Sequence, residues 1–515
     1  MDWSEGYYAG LDYTFGYYHE MGPDHLRLAC LTAGVHCEIP DASTYLELGF
    51  GQGVSINLHA AGSEGAFHGV DFNPAHVLHA EGLAERSGAT VHLSDESFAA
   101  FAARKDLPMF DVIALHGVWS WVSDENRRVI LDLIRKKLRR GGVVYLSYNC
   151  MPGWASRGAV RHLLNLGRAR GSEAATTPEA EVDRALAFVG KVTAAGPRFF
   201  RDEPQATKHA AGLAKQSRRY IAHEYFNADW HVPYFSDVAT EMAGAKLTFV
   251  DSARLLDRIA EINIPADGVA LLAEISEPVM RESVRDYLVN QRFRPDIFVK
   301  GAIRLSKLEQ DARLGAQAFV LICPLDEIDF RISGALGEAT LPEAIYRPLS
   351  EALAAEAFRP KTAAVLAETA SASFDDVIAA LTVLTGMGVV RPAREATPTT
   401  RGQCDGYNAL VLERALSGRQ LKHMASPVTG GGVLTTRSTQ LFLQAWNEGA
   451  RTPEALAARV WAVFERTNER ATKDGRDVVS REENLQVLGE KAERFLMQIL
   501  PLYRTLGILP SPKAG

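Results

Sequence analysis

Between residues 43 and 150, five short apolar segments alternate with segments of helical periodicity, and this alternation constrains the fold more than any other feature of the chain. The apolar segments are 43-STYLELG-49, 66-AFHGVD-71, 90-TVHLS-94, 110-FDVIAL-115 and 142-GVVYLSY-148. Helices are expected between them, over about 53–61, 73–87, 97–104 and 124–138. Strands rich in Leu, Val and Ile, each followed by a helix, make right-handed βαβ units on a parallel sheet. The fold class is therefore α/β, with a Rossmann-like sheet at its centre.

Ligands of such sheets bind outside the carboxyl ends of the strands, so the strand ends are where chemistry is sought. The first strand runs into Glu47-Leu48-Gly49-Phe50-Gly51-Gln52-Gly53. Alternate glycines let the backbone turn sharply and approach a ligand at the N-terminus of the next helix, although a tight structural turn has the same composition. The second strand ends at Asp71 and Phe72, with Asp71 eighteen residues beyond Gly53. A carboxylate there can accept hydrogen bonds from both ribose hydroxyls and disfavours a 2′-phosphate. The third strand ends in Ser94-Asp95-Glu96-Ser97-Phe98, where polar and apolar groups can bracket an adenine ring. Asp95 also reads as a helix N-cap. The turn is G-x-G-x-G rather than G-x-G-x-x-G, and Glu47 would repel a pyrophosphate while helping to hold an amino-acid ammonium. Both details favour S-adenosyl-L-methionine (SAM) over a dinucleotide.

The fourth strand is followed by 116-HGVWSWV-122 and the fifth ends in 147-SYNCMPGW-154. With these motifs the chain resembles class I SAM-dependent methyltransferases, and within them a bacterial group that joins a methyltransferase domain to a methyltransferase regulatory domain. The segments 220-YIAHEYFNADWHVPYFSDVA-239 and 285-RDYLVNQRFRPDIF-298 resemble parts of that second domain, and 425-ASPVTGGGV-433 resembles a region that follows a winged-helix module in the same group. The resemblance covers nearly the whole chain. It departs modestly at Phe50, where a cysteine is common, and at Cys150-Met151 before Pro152. It implies a class I sheet with additional mostly helical domains, one of them winged-helix-like. It also implies an enzyme that uses SAM and releases S-adenosyl-L-homocysteine. Because the group includes bacterial protein-lysine methyltransferases, the expected acceptor is a protein lysine. Methyl transfer to a nitrogen or oxygen of a small molecule or peptide is the alternative. A SAM-binding regulatory or adaptor protein is a further one.

On this reading Glu47, Gly49, Phe50, Gly51, Gly53, Asp71, Phe72, Asp95, Glu96, Ser97, Phe98 and His116 surround the cofactor. Methyl transfer from a sulfonium is an in-line displacement that needs alignment, exclusion of water and departure of a proton from an amine. His116 can orient the amine or take its proton with a pKa near the working range, or it can cap the turn and touch the cofactor. Tyr148 and Asn149 stand between substrate contact and structure. Trp119 and Trp121 either shape an acceptor channel, with cation–π attraction for an amine, or pack under the next helix. Trp154 is placed on the substrate side with them. Tyr13, Tyr17 and Tyr18 form either a lid over the sulfonium or an aromatic staple. His223 either completes the pocket from the second domain or packs between domains. No metal site is expected, since His223-Glu224 lacks a second histidine at zincin spacing, and neither G-x-S-x-G nor a P-loop is present.

At 515 residues the chain exceeds one ordinary core. The expected divisions are an aromatic N-terminal segment (1–40), the SAM-binding domain (41–165), a middle domain on the substrate side (166–330), a winged-helix-like domain (331–396) and a helical C-terminal domain (407–515). A net charge of -7, from 56 basic and 63 acidic residues, gives no general attraction for nucleic acid. The helix near 124–140 carries seven basic residues on a solvated face, with Val129, Leu131, Ile134 and Leu138 expected inward. No apolar run approaches the roughly 20 residues that span a bilayer. Five scattered cysteines without a CxxC pair, and a start without signal-peptide pattern, point to the cytoplasm. Partners are then the acceptor itself, protein or small molecule, and a homodimer stays open.

Overall fold

The computed structural model describes residues 6–8, 10, 14–169, 177–418, 421–473 and 475–509. Its centre is a seven-stranded sheet. The strands are β1 (Thr44–Leu48), β2 (Ala66–Val70), β3 (Val91–Ser94), β4 (Phe110–Leu115), β5 (Leu138–Asn149), β6 (Leu247–Ser252) and β7 (Phe293–Lys300). They lie in the order β3-β2-β1-β4-β5-β7-β6. The first five are parallel; β7 runs antiparallel to β5, from Val143 opposite Val299 to Asn149 opposite Phe293, and β6 is antiparallel to β7. All five strands expected from the alternation are present. Strands β6 and β7 lie far along the chain, so the sheet extends across the boundary read at residue 165.

Local sequence accounts for the helices of this layer. They are α1 (Pro23–Thr32), α2 (Val54–Ala61), α3 (Pro74–Ser87), α4 (Phe98–Ala103) and α5 (Asp124–Lys137). Asn73 caps α3 by accepting from the Ala75 amide (3.0 Å), with Pro74 in its first turn and Gly88 in the left-handed region after its end. Ser123 caps α5, which begins with Asp124 and Glu125 and ends with Arg135, Lys136 and Lys137, matching the helix dipole at both ends. The buried face of α5 is Arg127, Ile130, Leu133 and Ile134, so the expected inward positions Val129 and Leu131 are only half-buried, while Leu138 is buried as the first residue of β5.

Alternation along the strands divides the core. Tyr45, Val112, Ala114, Val143, Tyr145, Ile297 and Val299 face one side, and Leu46, Leu48, Ile113, Leu115, Val144, Leu146, Tyr148 and Phe298 face the other. After β5, helices α6 (Ala155–Ala169), α7 (Pro178–Ala194), α8 (Pro204–Leu213) and α9 (Arg218–Tyr225) form a separate apolar cluster that also takes in Tyr8 and Trp154. Helices Glu343–Phe358, Ala363–Ala370 and Phe374–Gly386 accompany a three-stranded antiparallel sheet built from Ala318–Leu321, Lys361–Thr362 and Val390–Ala393. Their core is continuous with the first face of the central sheet.

From Pro398 onward a helical unit with its own core packs against Val54, Leu58 and Ala61 of α2. Its segment 425-ASPVTGGGV-433 forms the hairpin His423–Ser426/Gly431–Leu434, whose Gly432 amide donates to the Tyr17 hydroxyl (2.8 Å). All eight residues of α2 are consequently buried, between the sheet and this unit. Among the described residues no helix is long and apolar enough to cross a membrane.

Candidate active site

The glycine turn sits where β1 meets α2, and Gly49, Gly51 and Gly53 all have positive φ (72°, 56° and 70°). A Cβ at Gly49 would lie 2.5 Å from Val118 Cγ2, and one at Gly53 would lie 2.3 Å from Ala80 Cβ. Glycine is therefore required at both positions by conformation and by space. The Gly51 amide donates to Asp71 Oδ2 (2.8 Å), while Asp71 Oδ1 meets the Asn73 amide (3.1 Å) and His76 Nδ1 (3.0 Å). A carboxylate accepts about four hydrogen bonds, so the buried Asp71 braces the turn and keeps capacity for a ligand hydroxyl. Glu47, one strand position before the turn, is buried beside Tyr45, and burial pushes its carboxyl up to about 8.

A cavity of about 530 Å³ opens from this turn. It is lined by Gly49, Gly51, Asp71, Phe72, His76 and Phe98 from the strand ends, and by Trp121, Asn149, Trp154, Arg157, Tyr220, His223 and Glu224. Tyr7, Tyr18, His116, Tyr145, Arg254 and Phe293 complete its walls. The Tyr18 ring stacks on the His116 imidazole (centroids 3.6 Å apart, 24° between planes). His116 Nδ1 meets the hydroxyls of Tyr145 (2.9 Å) and Ser147 (3.2 Å), and Ser147 Oγ also accepts from the Gly117 amide (2.8 Å). These hydroxyls engage Nδ1 within the protein. Burial, with a smaller contribution from Arg254, pulls the His116 pKa down to about 3.

Asn149 connects the sheet to the helical layer. Its backbone amide donates to Ser120 Oγ (2.9 Å), and its side-chain nitrogen donates to Glu224 Oε1 (2.8 Å) on α9. Burial pushes the Glu224 carboxyl up to about 7, against the opposing effects of this hydrogen bond and of Arg157. Glu224 is thus a cavity-lining carboxyl that changes charge near neutral pH.

Two family models match the chain, a methyltransferase domain over residues 46–142 and a predicted methyltransferase regulatory domain over residues 217–300. An uncharacterized protein of Synechocystis, sll1526, is 35% identical over 518 residues, covering 99% of this chain and all of the relative. The chain belongs to the SAM-dependent methyltransferases that carry this regulatory domain. Another uncharacterized relative, RP789 of Rickettsia prowazekii, is 24% identical and covers 55% of this chain and 51% of its own length. Among solved structures, PKMT2 from Rickettsia typhi in complex with AdoHcy matches with a TM-score of 0.71, at 18% identity over 97% of this chain and 100% of that one. That likeness is one of fold. The turn, the braced Asp71 and the adjoining space suit the methyl donor, because the backbone is bare of Cβ atoms where a ligand must approach and an acceptor remains for a ribose hydroxyl.

In this methyltransferase the sequence-derived residues divide clearly. Gly49, Gly51, Asp71, Phe72, Phe98, His116, Tyr18, Trp121, Asn149, Trp154 and His223 line one cavity. Glu47, Phe50 and Gly53 are outside the lining. Asp95 is exposed, Glu96 pairs with Arg104 (3.3 Å), and Ser97 caps α4 by accepting from the Ala100 amide (3.3 Å). Tyr148 is a correction: it lies one position out of phase with Tyr145, Ser147 and Asn149, so it faces the opposite side of the sheet and donates to Asp296 Oδ2 (2.7 Å). Trp119 is fully buried in the core on that same opposite side, as the packing alternative held. Tyr17 contacts the C-terminal hairpin rather than the cavity, and Tyr13 lies outside the described residues. The expectation that His116 titrates near the working range is overturned by its burial. Reading the sequence missed Tyr7, Tyr145, Tyr220, Glu224, Arg254 and Phe293. For Tyr145 the signal was present, as the residue in phase with Asn149 on β5; for the others, only the chain's return to the site brings them in.

Proposed function

We propose that this methyltransferase transfers a methyl group from SAM to an amine of a protein, a lysine side chain foremost. The observation that carries the reading is the Asn149–Glu224 pair, in the lining of the same cavity as the glycine turn. When bound, the donor supplies an electrophilic methyl carbon on a sulfonium. The chain's own residues then have to present an uncharged amine to it. The Glu224 carboxylate takes a proton from the incoming ammonium, and the Asn149 carbonyl oxygen, left over when its nitrogen is engaged by Glu224, accepts a remaining N–H. Tyr18, Trp121, Trp154 and Tyr220 line the cavity, and aromatic rings suit a cationic side chain before it loses its proton. His116, kept neutral by its burial, orients groups in the cavity and accepts no proton.

The bacterial protein-lysine methyltransferases that the sequence resembles, and the shared fold with the rickettsial PKMT2 that holds AdoHcy, support this reading. In the same reading the cofactor contacts come from Gly49, Gly51, Asp71, Phe72 and Phe98. The test incubates the full chain with methyl-labelled SAM and a cell lysate, followed by amino-acid analysis of labelled protein. Label in methylated lysine is the expected result. Label confined to small molecules overturns the protein acceptor in favour of a metabolite, and absence of label favours a regulatory or adaptor role.

A further inference from the structure

A second cavity, of about 770 Å³, adjoins the acceptor end of the first, and Arg157, Tyr220 and Arg292 line both. Its wall also includes Gln205, Lys208, His209 and Gln216 but no aspartate or glutamate. On the neighbouring helices Arg168 and Arg218 are paired with Glu181 and Asp183. Arg157, Lys208 and Arg292, by contrast, have no carboxylate within ion-pair distance among the described residues. Arg157 lies over the Trp154 ring (5.7 Å), which holds it at the seam between the two spaces. His209 adds no fourth cation: burial lowers its pKa to about 4, and Arg157 and Arg292 push it the same way. Three cations thus converge on a concave space that adjoins the first cavity, and among the described residues none of them is ion-paired, although Arg157 also acts on Glu224.

We propose that this second cavity receives an acidic stretch of the acceptor polypeptide. Carboxylates flanking the methylated residue engage Lys208 and Arg292, and the residue itself passes between Arg157 and Tyr220 towards Asn149 and Glu224. The proposal rests on the reading of the acceptor as a protein. A concave site of this size suits a few residues of extended chain. Three cations in a pocket, on a chain of net charge -7, do not form the basic stripe that tracks a nucleic acid backbone.

The experiment compares methyl transfer to lysine peptides of equal length whose flanking residues are Glu or Gln. Wild-type protein is expected to favour the Glu-flanked peptide roughly fivefold to tenfold in kcat/KM at low salt, the sum of two partly exposed ion pairs. The preference falls as salt rises, and the double variant Lys208→Glu/Arg292→Glu inverts it. Both side chains are exposed, so the variant keeps the fold. Equal rates for the two peptides, or an unchanged preference in the charge-reversed variant, overturn the proposal. Failure to methylate any peptide counts against the protein acceptor instead, so the cavity is also read without transfer, by fluorescence anisotropy of a labelled, lysine-free Glu-rich peptide. Binding to wild type that is lost in the charge-reversed variant supports the cavity's role. Equal binding to both proteins overturns it, as does stronger competition by a single-stranded oligonucleotide than by the unlabelled acidic peptide.

Discussion

Glu224→Gln isolates the proposed proton acceptor with little change in shape. Glutamine retains an Oε1 that accepts from Asn149 Nδ2, so the connection between β5 and α9 survives while the titrating group is lost. Removal of a positioned general base costs about 10²-fold or more in rate. The expected result is a fall of that order in kcat/KM, together with disappearance of the rising limb of the pH profile near 7, where the wild-type carboxyl ionises. Stability moves the other way. The folded pKa is raised from 4.5 to about 7 by burial, so this group's contribution is fully present below about pH 4.5 and is lost as pH rises through 7. The loss is capped on the order of 3 kcal/mol, since each pKa unit corresponds to about 1.4 kcal/mol. Denaturation in urea at pH 5 and pH 8 should accordingly show a smaller pH-dependent loss for the variant than for wild type. A variant that keeps wild-type kcat/KM at pH 8 and the same limb near 7 would refute the assignment of Glu224, whatever its stability.

Four further outcomes follow from the geometry. Asp71→Ala removes the acceptor for the Gly51 amide and should weaken SAM binding by about 1–3 kcal/mol in calorimetry; unchanged affinity removes Asp71 from the donor site. Gly49→Ala forces a Cβ against Val118 at a positive φ, and should lower donor affinity at least tenfold, beyond what its effect on thermal stability accounts for. Tyr148→Phe breaks the hydrogen bond to Asp296 on the far side of the sheet, so it should lower stability by about 1–2 kcal/mol in denaturant titration and leave kcat/KM unchanged. Trp119→Ala should destabilise by about 3–5 kcal/mol, whereas Trp121→Ala should mainly raise KM, because only Trp121 reaches the cavity.

Chain-local signals were enough for much of this protein, and their reach has a physical limit. Apolar alternation located five strands, because it depends on neighbours in sequence, whereas the cap read at Asp95 falls in the structure to Ser97. The G-x-G-x-G turn could be read because positive φ and the absence of a Cβ leave a compositional trace. Tyr148 was misplaced although its strand was correct, since a shift of one position reverses the face. His116 was located correctly at the cavity but its protonation was not, because the Tyr18 ring and the sheet that desolvate it come from other parts of the chain.

The sequence by itself determined the parallel sheet, its glycine turn, the acidic residue at the second strand end and hence the class of cofactor. Those properties follow from backbone geometry within single βα units. Tertiary structure alone decided the acceptor side. The helical segment that follows β5 brings Glu224 to Asn149 across 75 residues of chain, and the return to β7 adds Arg292 to Arg157 in the linings of both cavities. Burial there moves a carboxyl to neutrality and an imidazole far from it, and no spacing in the sequence records burial.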